Sequence, residues 1–224
     1  IELDRSLQRL KTDHFDLYQL HHLVRPAEVT DACGAEGAIE VALKAKQECK
    51  IRFIGFSAHT TKSALAALKA FKFDTVMFPI NFVEYYLRDF GKDVLALAAE
   101  RGAGVIAIKP ISWGRWPKEG KRTREWWYNS VEEPHQVELA MRFVLSQQGL
   151  ATALPTSFLD LLDKTIAAAK AFKPLDGEAE SELKQMAADR ESIFLAEEQQ
   201  VALNRKEWTP VYPDSPHEGG SARV

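Results

Sequence analysis

Residues 15–22 read FDLYQLHH, an apolar run with the pattern of a buried strand that closes on two histidines, His21 and His22. Imidazole is costly to bury without a hydrogen-bonding partner, so the pair needs an explanation in the element that carries it. Four further runs share the character of the first: IRFIGFS (51–57), DTVMFPIN (74–81), GVIAIKP (104–110) and LATALPT (150–156). A helical pattern follows each, over 36–49, 61–71, 89–101, 133–147 and 158–171. The runs show little polar alternation, as expected of strands covered on both faces. Their starts recur at a mean of about 34 residues, the size of a βα unit. Strict alternation without a hairpin predicts a parallel sheet, either doubly wound or closed as a barrel.

Two features choose between those forms. A doubly wound dinucleotide fold carries G-x-G-x-x-G after its first strand, and no such run occurs here. Polar or titratable residues instead stand at the C-terminal ends of successive strands: His21, Ser57, Asn81, Lys109 and Thr156. A (β/α)₈ barrel builds its site in this way, from the mouths of several strands. The predicted fold is therefore α/β, a partial TIM-type (β/α)₈ barrel of about five βα units with C-terminal helices. Residues 1–174 form the partial barrel and 175–205 the C-terminal helices, the first an acidic helix, DGEAESELKQMAADRES, capped near Asp176. Residues 206–224, rich in Pro, Gly and Ser, read as a flexible tail. The chain opens at Ile1, without an initiator Met, inside the amphipathic pattern IELDRSLQRLKTD. We expect an N-terminally truncated chain, with three further units ahead of residue 1.

The totals exclude several classes. Of 224 residues, 29 are basic and 32 acidic, a net charge of −3 with no basic excess to suggest a nucleic-acid partner. No apolar run reaches the roughly 18–20 residues of a membrane span, and the charged start does not read as a signal peptide. Cys33 and Cys49 lack metal-ligand spacing; no metal site is expected, and two isolated thiols suggest the cytoplasm.

The stretch SLQRLKTDHFDLYQLHH resembles the recurrent S-L-x-x-L-x-x-D-x-x-D-L-Y-x-x-H pattern of the aldo-keto reductases. IRFIGFSA, FDTVMFPINFVEY, GVIAIKPISWGRW and ELAMRFVLSQQGLATALPTSFLDLLDKTIAAAKAF resemble its later segments, in order, from Ile1 to about Phe172. The resemblance implies reduction of a small aldehyde or ketone by hydride transfer from NADPH, with NADH possible. His21 matches the histidine that orients the substrate. Strand parity points it into the barrel mouth, with His22 pointing outward or into the loop. Ser57 matches the serine that hydrogen-bonds the nicotinamide carboxamide, and Pro155, Thr156 and Ser157 match the phosphate-binding loop after the last strand; Asn81, which stands in for the family's Gln at Met77, and Lys109 are expected to bind the cofactor as well. Pro155, Thr156 and Ser157 stand at a helix N-terminus, where free N–H groups favour an anion. The family's catalytic Asp, Tyr and Lys match no position in this chain, so we expect weak or no activity from it alone. Tyr85 and Tyr86 are read as loop packing, with a Tyr–Lys109 pair near His21 as the minor alternative; His59 and His135 are read as structural or exposed, and the loop with Lys118, Lys121, Arg122 and Arg124 as a basic, solvated lid, with closure over a pyrophosphate or 2′-phosphate as its alternative. A non-catalytic nucleotide-binding or interaction subunit is the alternative. Oligomeric state is not legible.

Overall fold

The computed structural model describes residues 2–203. Five parallel strands, β1 (Phe15–Leu23), β2 (Ile51–Ala58), β3 (Thr75–Pro79), β4 (Gly104–Ile108) and β5 (Leu150–Leu154), lie side by side in chain order. A doubly wound sheet reverses direction from its first strand; this one advances without reversal, as strands do around a barrel axis. No described strand joins the two edges, β1 and β5.

Ten helices occur among the described residues: α1 (Glu2–Leu10), α2 (Pro26–Cys33), α3 (Ala38–Gln47), α4 (Thr61–Ala70), α5 (Phe82–Arg88), α6 (Lys92–Arg101), α7 (Pro134–Leu145), α8 (Leu159–Lys170), α9 (Gly177–Ala188) and α10 (Leu195–Ala202). Each of the five anticipated helical patterns is present. The sequence reading missed α2 and α5, which shorten the loops after β1 and β3. The start of α2 is marked by Pro26 and by Glu28, whose carboxylate accepts the Val24 and Arg25 backbone N–H groups at 2.8 and 3.0 Å. At α9 the expected cap is present: Asp176 accepts the Ala179 N–H at 2.9 Å.

One sheet face carries the core. Ile54, Phe56 and Ala58 of β2, Val76 and Phe78 of β3, and Val105 and Ala107 of β4 are buried, with Ala64, Ala67, Leu68, Val94, Ala98, Val137 and Val144 of the helices in the same cluster. Each fully buried Phe or Val contributes about 1.5–3 kcal/mol relative to exposure. The opposite face departs from the expectation of double coverage: Phe53 is 46% and Leu154 is 42% exposed. Such apolar side chains fill the interior of a closed cylinder, and an open arc leaves them at the surface. On this inner face Gly55 is required by close approach, since a Cβ there would lie 2.1 Å from Thr75 Oγ1 and 3.2 Å from Gln19 Cγ.

Candidate active site

The histidine pair sits at a break in the sheet register. Leu20 pairs with Phe56 and Leu23 with Ala58, so β1 spends one residue more than β2 over this interval. His21 and His22 form the resulting bulge opposite Ser57, and bulges re-aim side chains beside sites. His22 adopts the left-handed region, φ 62°, which histidine enters more readily than most residues. Its backbone N–H donates to Ser57 Oγ at 2.7 Å. The two rings stay together, centroids 5.6 Å apart: His21 is exposed, while the His22 ring, expected to point outward or into the loop, meets His59 edge-on at 4.8 Å. His22 therefore packs into the rim beside β2.

His59, read from the sequence as structural or exposed, is buried at the strand ends. It lies two positions beyond Ser57, is 6% exposed, and its Nε2 is 3.4 Å from Lys109 Nζ. Shared parity with Ser57 was the available signal. Lys109 also has a left-handed backbone, φ 56°, which turns the chain sharply off the end of β4. Its ammonium lies 5.6 Å from the ring centroids of both Trp127 and Phe194. Burial pushes its pKa down to about 8, against the attraction of Glu197.

Asn81, expected at the end of a strand, instead caps α5. Two residues past β3, it is fully buried, and its Oδ1 accepts the Glu84 N–H at 3.0 Å. Its Nδ2 is buried without a hydrogen-bond partner among the described residues. A buried orphan donor at the strand mouth fits an acceptor brought by a ligand.

Pro155, Thr156 and Ser157 lead from β5 into α8. The cap position falls to Phe158, which offers no side-chain acceptor to the first turn. That leaves the terminus suited to a phosphate. The basic loop after β4 reaches it. Arg124 donates to both Asp160 oxygens at 3.0 and 2.5 Å and to Glu132 at 2.8 Å, with its guanidinium 4.9 Å from the Phe158 ring centroid. Asp160 in the first turn is thus neutralised. The rest of this loop is anchored through Trp116 Nε1, which donates to the Trp126 carbonyl at 2.6 Å.

Other candidates fall away from the mouth. Tyr85 and Tyr86 pack against Phe143 at ring distances of 5.1 and 5.4 Å. His135 is exposed beside Glu182 at 3.1 Å. The α9–α10 connection lies against the same end of the sheet. Ser192 Oγ and the Ile193 N–H donate to the buried Glu84 carboxylate at 2.6 and 2.7 Å, and Phe194 stacks on Phe90 at 5.0 Å. The KEWTPVY stretch with Trp208, and the tail over 206–224, lie outside the described residues.

Chain-order parallel strands with polar residues gathered at their C-terminal ends define an α/β barrel-type fold of the kind that houses enzymes. Residues 2–188 match the model of the aldo/keto reductase family, and the chain belongs to that family. No curated protein matches it. Among solved structures, a Bacillus halodurans aldo-keto reductase in its holo form is similar at 24% identity and TM-score 0.62, covering 83% of this chain and 63% of that one. A glycerol dehydrogenase from Gluconobacter oxydans matches at 17% identity and TM-score 0.57, covering 84% and 62%. An aldo-keto reductase from Klebsiella pneumoniae in complex with NADPH matches at 18% and 0.57, covering 83% and 63%. At these identities the likeness is one of fold, and the chain spans somewhat under two thirds of each of these three proteins. No described helix is long and apolar enough to cross a membrane.

Proposed function

We propose that this chain is the cofactor-holding part of an NAD(P)H-dependent carbonyl reductase acting on a small aldehyde or ketone in the cytoplasm. The observation that carries the proposal is the set of donors at the C-terminal ends of the strands: the Ser57–His59–Lys109 cluster, the orphan Nδ2 of Asn81, and the uncapped start of α8. These residues fit a nicotinamide dinucleotide, which when bound supplies the hydride for carbonyl reduction. Ser57 Oγ accepts the His22 N–H and retains its own proton to donate to the carboxamide. Asn81 Nδ2 offers a second donor. Lys109 and the backbone N–H groups of Thr156, Ser157 and the first turn of α8 hold phosphate charge, which favours NADPH over NADH. His21, exposed at the bulge, orients the substrate carbonyl by a hydrogen bond.

The reduced carbonyl also needs a proton. In the family a Tyr gives it, and no residue here matches that Tyr or its Asp and Lys partners. Loss of a general acid forfeits on the order of 10²–10⁴ in rate. The proposal therefore puts these three groups on preceding strands and makes the present chain, a 1–174 barrel arc followed by C-terminal helices, inactive or weakly active by itself. The open β1 and β5 edges support this reading. So does the coverage of 63% of the Bacillus halodurans protein. The rival, a nucleotide-binding subunit without hydride chemistry, rests on the same lack of a general acid.

The test is the coding sequence upstream of Ile1, expected to encode strands bearing Asp, Tyr and Lys. In the protein from that longer frame, His21→Ala should lower kcat and Ser157→Ala raise the KM for NADPH. A frame that starts at Ile1, with aldehyde turnover by the chain alone, overturns the proposal. NADPH binding without turnover by the longer protein supports the rival.

A further inference from the structure

Three arginines from three segments line one cavity of about 430 Å³: Arg88 at the end of α5, Arg115 in the β4–α7 loop, and Arg190 after α9. Glu191 is the acidic residue in its wall. None of the three arginines is ion-paired with a described residue, although Arg88 attracts the carboxylates of Glu84 and Glu198. The walls are fixed in place. Trp113 Nε1 donates to the Met186 carbonyl at 3.0 Å, and the Arg190 guanidinium stacks on that indole with Cζ 3.6 Å from the ring centroid. Arg115 donates from Nε to the Ser192 carbonyl at 3.1 Å and from its backbone N–H to the Glu191 carbonyl at 2.9 Å.

Arg190 is the informative member. Its Nε is buried with no hydrogen-bond partner among the described residues. An unsatisfied buried donor is costly, and more so on a charged group. Burial also pushes its pKa down, against the attraction of Asp189. A stacked guanidinium keeps its in-plane N–H fork free for an oxyanion. Leu87, Leu195 and Ala196 supply an apolar side to the cavity, whose volume lies in the range of small-molecule sites. The wall from Arg190 onward lies beyond residue 188, where the family match ends.

We propose that this cavity binds a small phosphorylated organic anion, at a site distinct from Ser57, Lys109 and Pro155–Ser157. The guanidinium groups take the phosphate, and the Leu87–Leu195–Ala196 side takes the organic body.

Calorimetric titration of the full chain with phenyl phosphate, inorganic phosphate and malonate tests this. Phenyl phosphate should saturate one site and bind more tightly than inorganic phosphate, with affinity falling as salt rises. Arg190→Gln and Arg115→Gln should each weaken it at least tenfold, while Ser157→Ala leaves it unchanged. No saturation by either phosphate, or unchanged affinity in Arg190→Gln, overturns the site. Tighter binding of malonate overturns the phosphate assignment, and equal loss in Ser157→Ala overturns its distinctness. If circular dichroism shows that Arg190→Gln does not fold, Arg88→Gln decides: a tenfold loss supports the site and an unchanged affinity overturns it.

Discussion

Lys109 Nζ stands 3.4 Å from His59 Nε2, two side chains joined across β2 and β4 at the rim of the sheet. The burial of Lys109 at this contact sets a pH dependence. Burial holds the folded ammonium near 8, below the ordinary value of 10.5 that the unfolded chain retains. Between those values the unfolded chain binds the proton and the folded chain releases it. Stability should therefore rise from pH 8 to 10.5, with a slope of up to about 1.36 kcal/mol per pH unit. Below pH 8 both states are charged, and the folded state carries the whole cost of the buried charge. Lys109→Met should raise the thermal midpoint at pH 7, with a gain that narrows toward pH 10.5. Melting curves of the two proteins at pH 7, 8.5 and 10 check it; a constant offset would contradict it.

Glu84 holds the α9–α10 connection to the sheet through Ser192 Oγ and the Ile193 N–H. Glu84→Ala orphans two buried donors, at about 1–3 kcal/mol each. Amide exchange across Leu195–Ala202 should accelerate in that variant. Burial is the largest influence on the carboxyl and raises its pKa, against the Ser192 and Ile193 bonds and Arg88. The folded chain thus holds this proton more tightly than the unfolded chain. Stability falls as pH rises from 4.5 through the raised value, and is recovered on acidification. Glu84→Gln should retain the anchor and flatten that part of the profile, as denaturant unfolding at several pH values would show.

The strands were legible because their apolar runs are short, evenly spaced and bounded by turns, and all five lie where the spacing put them. Their ends were not. Asn81 and Lys109 read as last strand residues, yet the chain has already turned at both, one to cap α5 and one through a left-handed backbone. Parity aimed His21 into the barrel mouth and His22 outward or into the loop, yet His22 packs against His59, because a bulge inserts a residue that no alternation rule anticipates. His59 escaped for a related reason: its partner Lys109 lies 50 positions away, and only the strand pairing brings them together. The arginine cavity was illegible throughout, since its three cations come from segments with no shared pattern.

Ser57 accepts the His22 N–H inside the bulge, so its removal has a structural effect apart from any cofactor role. Ser57→Ala leaves that N–H without its acceptor, at about 1–3 kcal/mol. Ser57→Thr keeps a hydroxyl and should cost less. The His22 amide, followed by NMR exchange, should lose protection in the alanine variant and keep it in the threonine variant. Equal protection in both would mean that the bulge is held by other contacts.

Arg124 neutralises a carboxylate where the proposed cofactor phosphate would sit. Its side chain is 18% exposed and bridges Glu132 to Asp160, in the first turn of α8. With Arg124→Ala, Asp160 presents an uncompensated charge beside the helix start, and the attraction of that terminus for anions is opposed. A charge at a helix end is worth about 1 kcal/mol, so NADPH affinity of the longer-frame protein should fall about five-fold. Arg124→Ala also frees the loop from α8 and should lower the thermal midpoint. Adding Asp160→Asn removes the repulsion without restoring the tether. The double variant should therefore recover NADPH affinity while its midpoint stays low, a non-additive pattern that a double-mutant cycle detects. Recovery of both properties would assign Arg124 a purely structural role, and recovery of neither would place the phosphate away from α8.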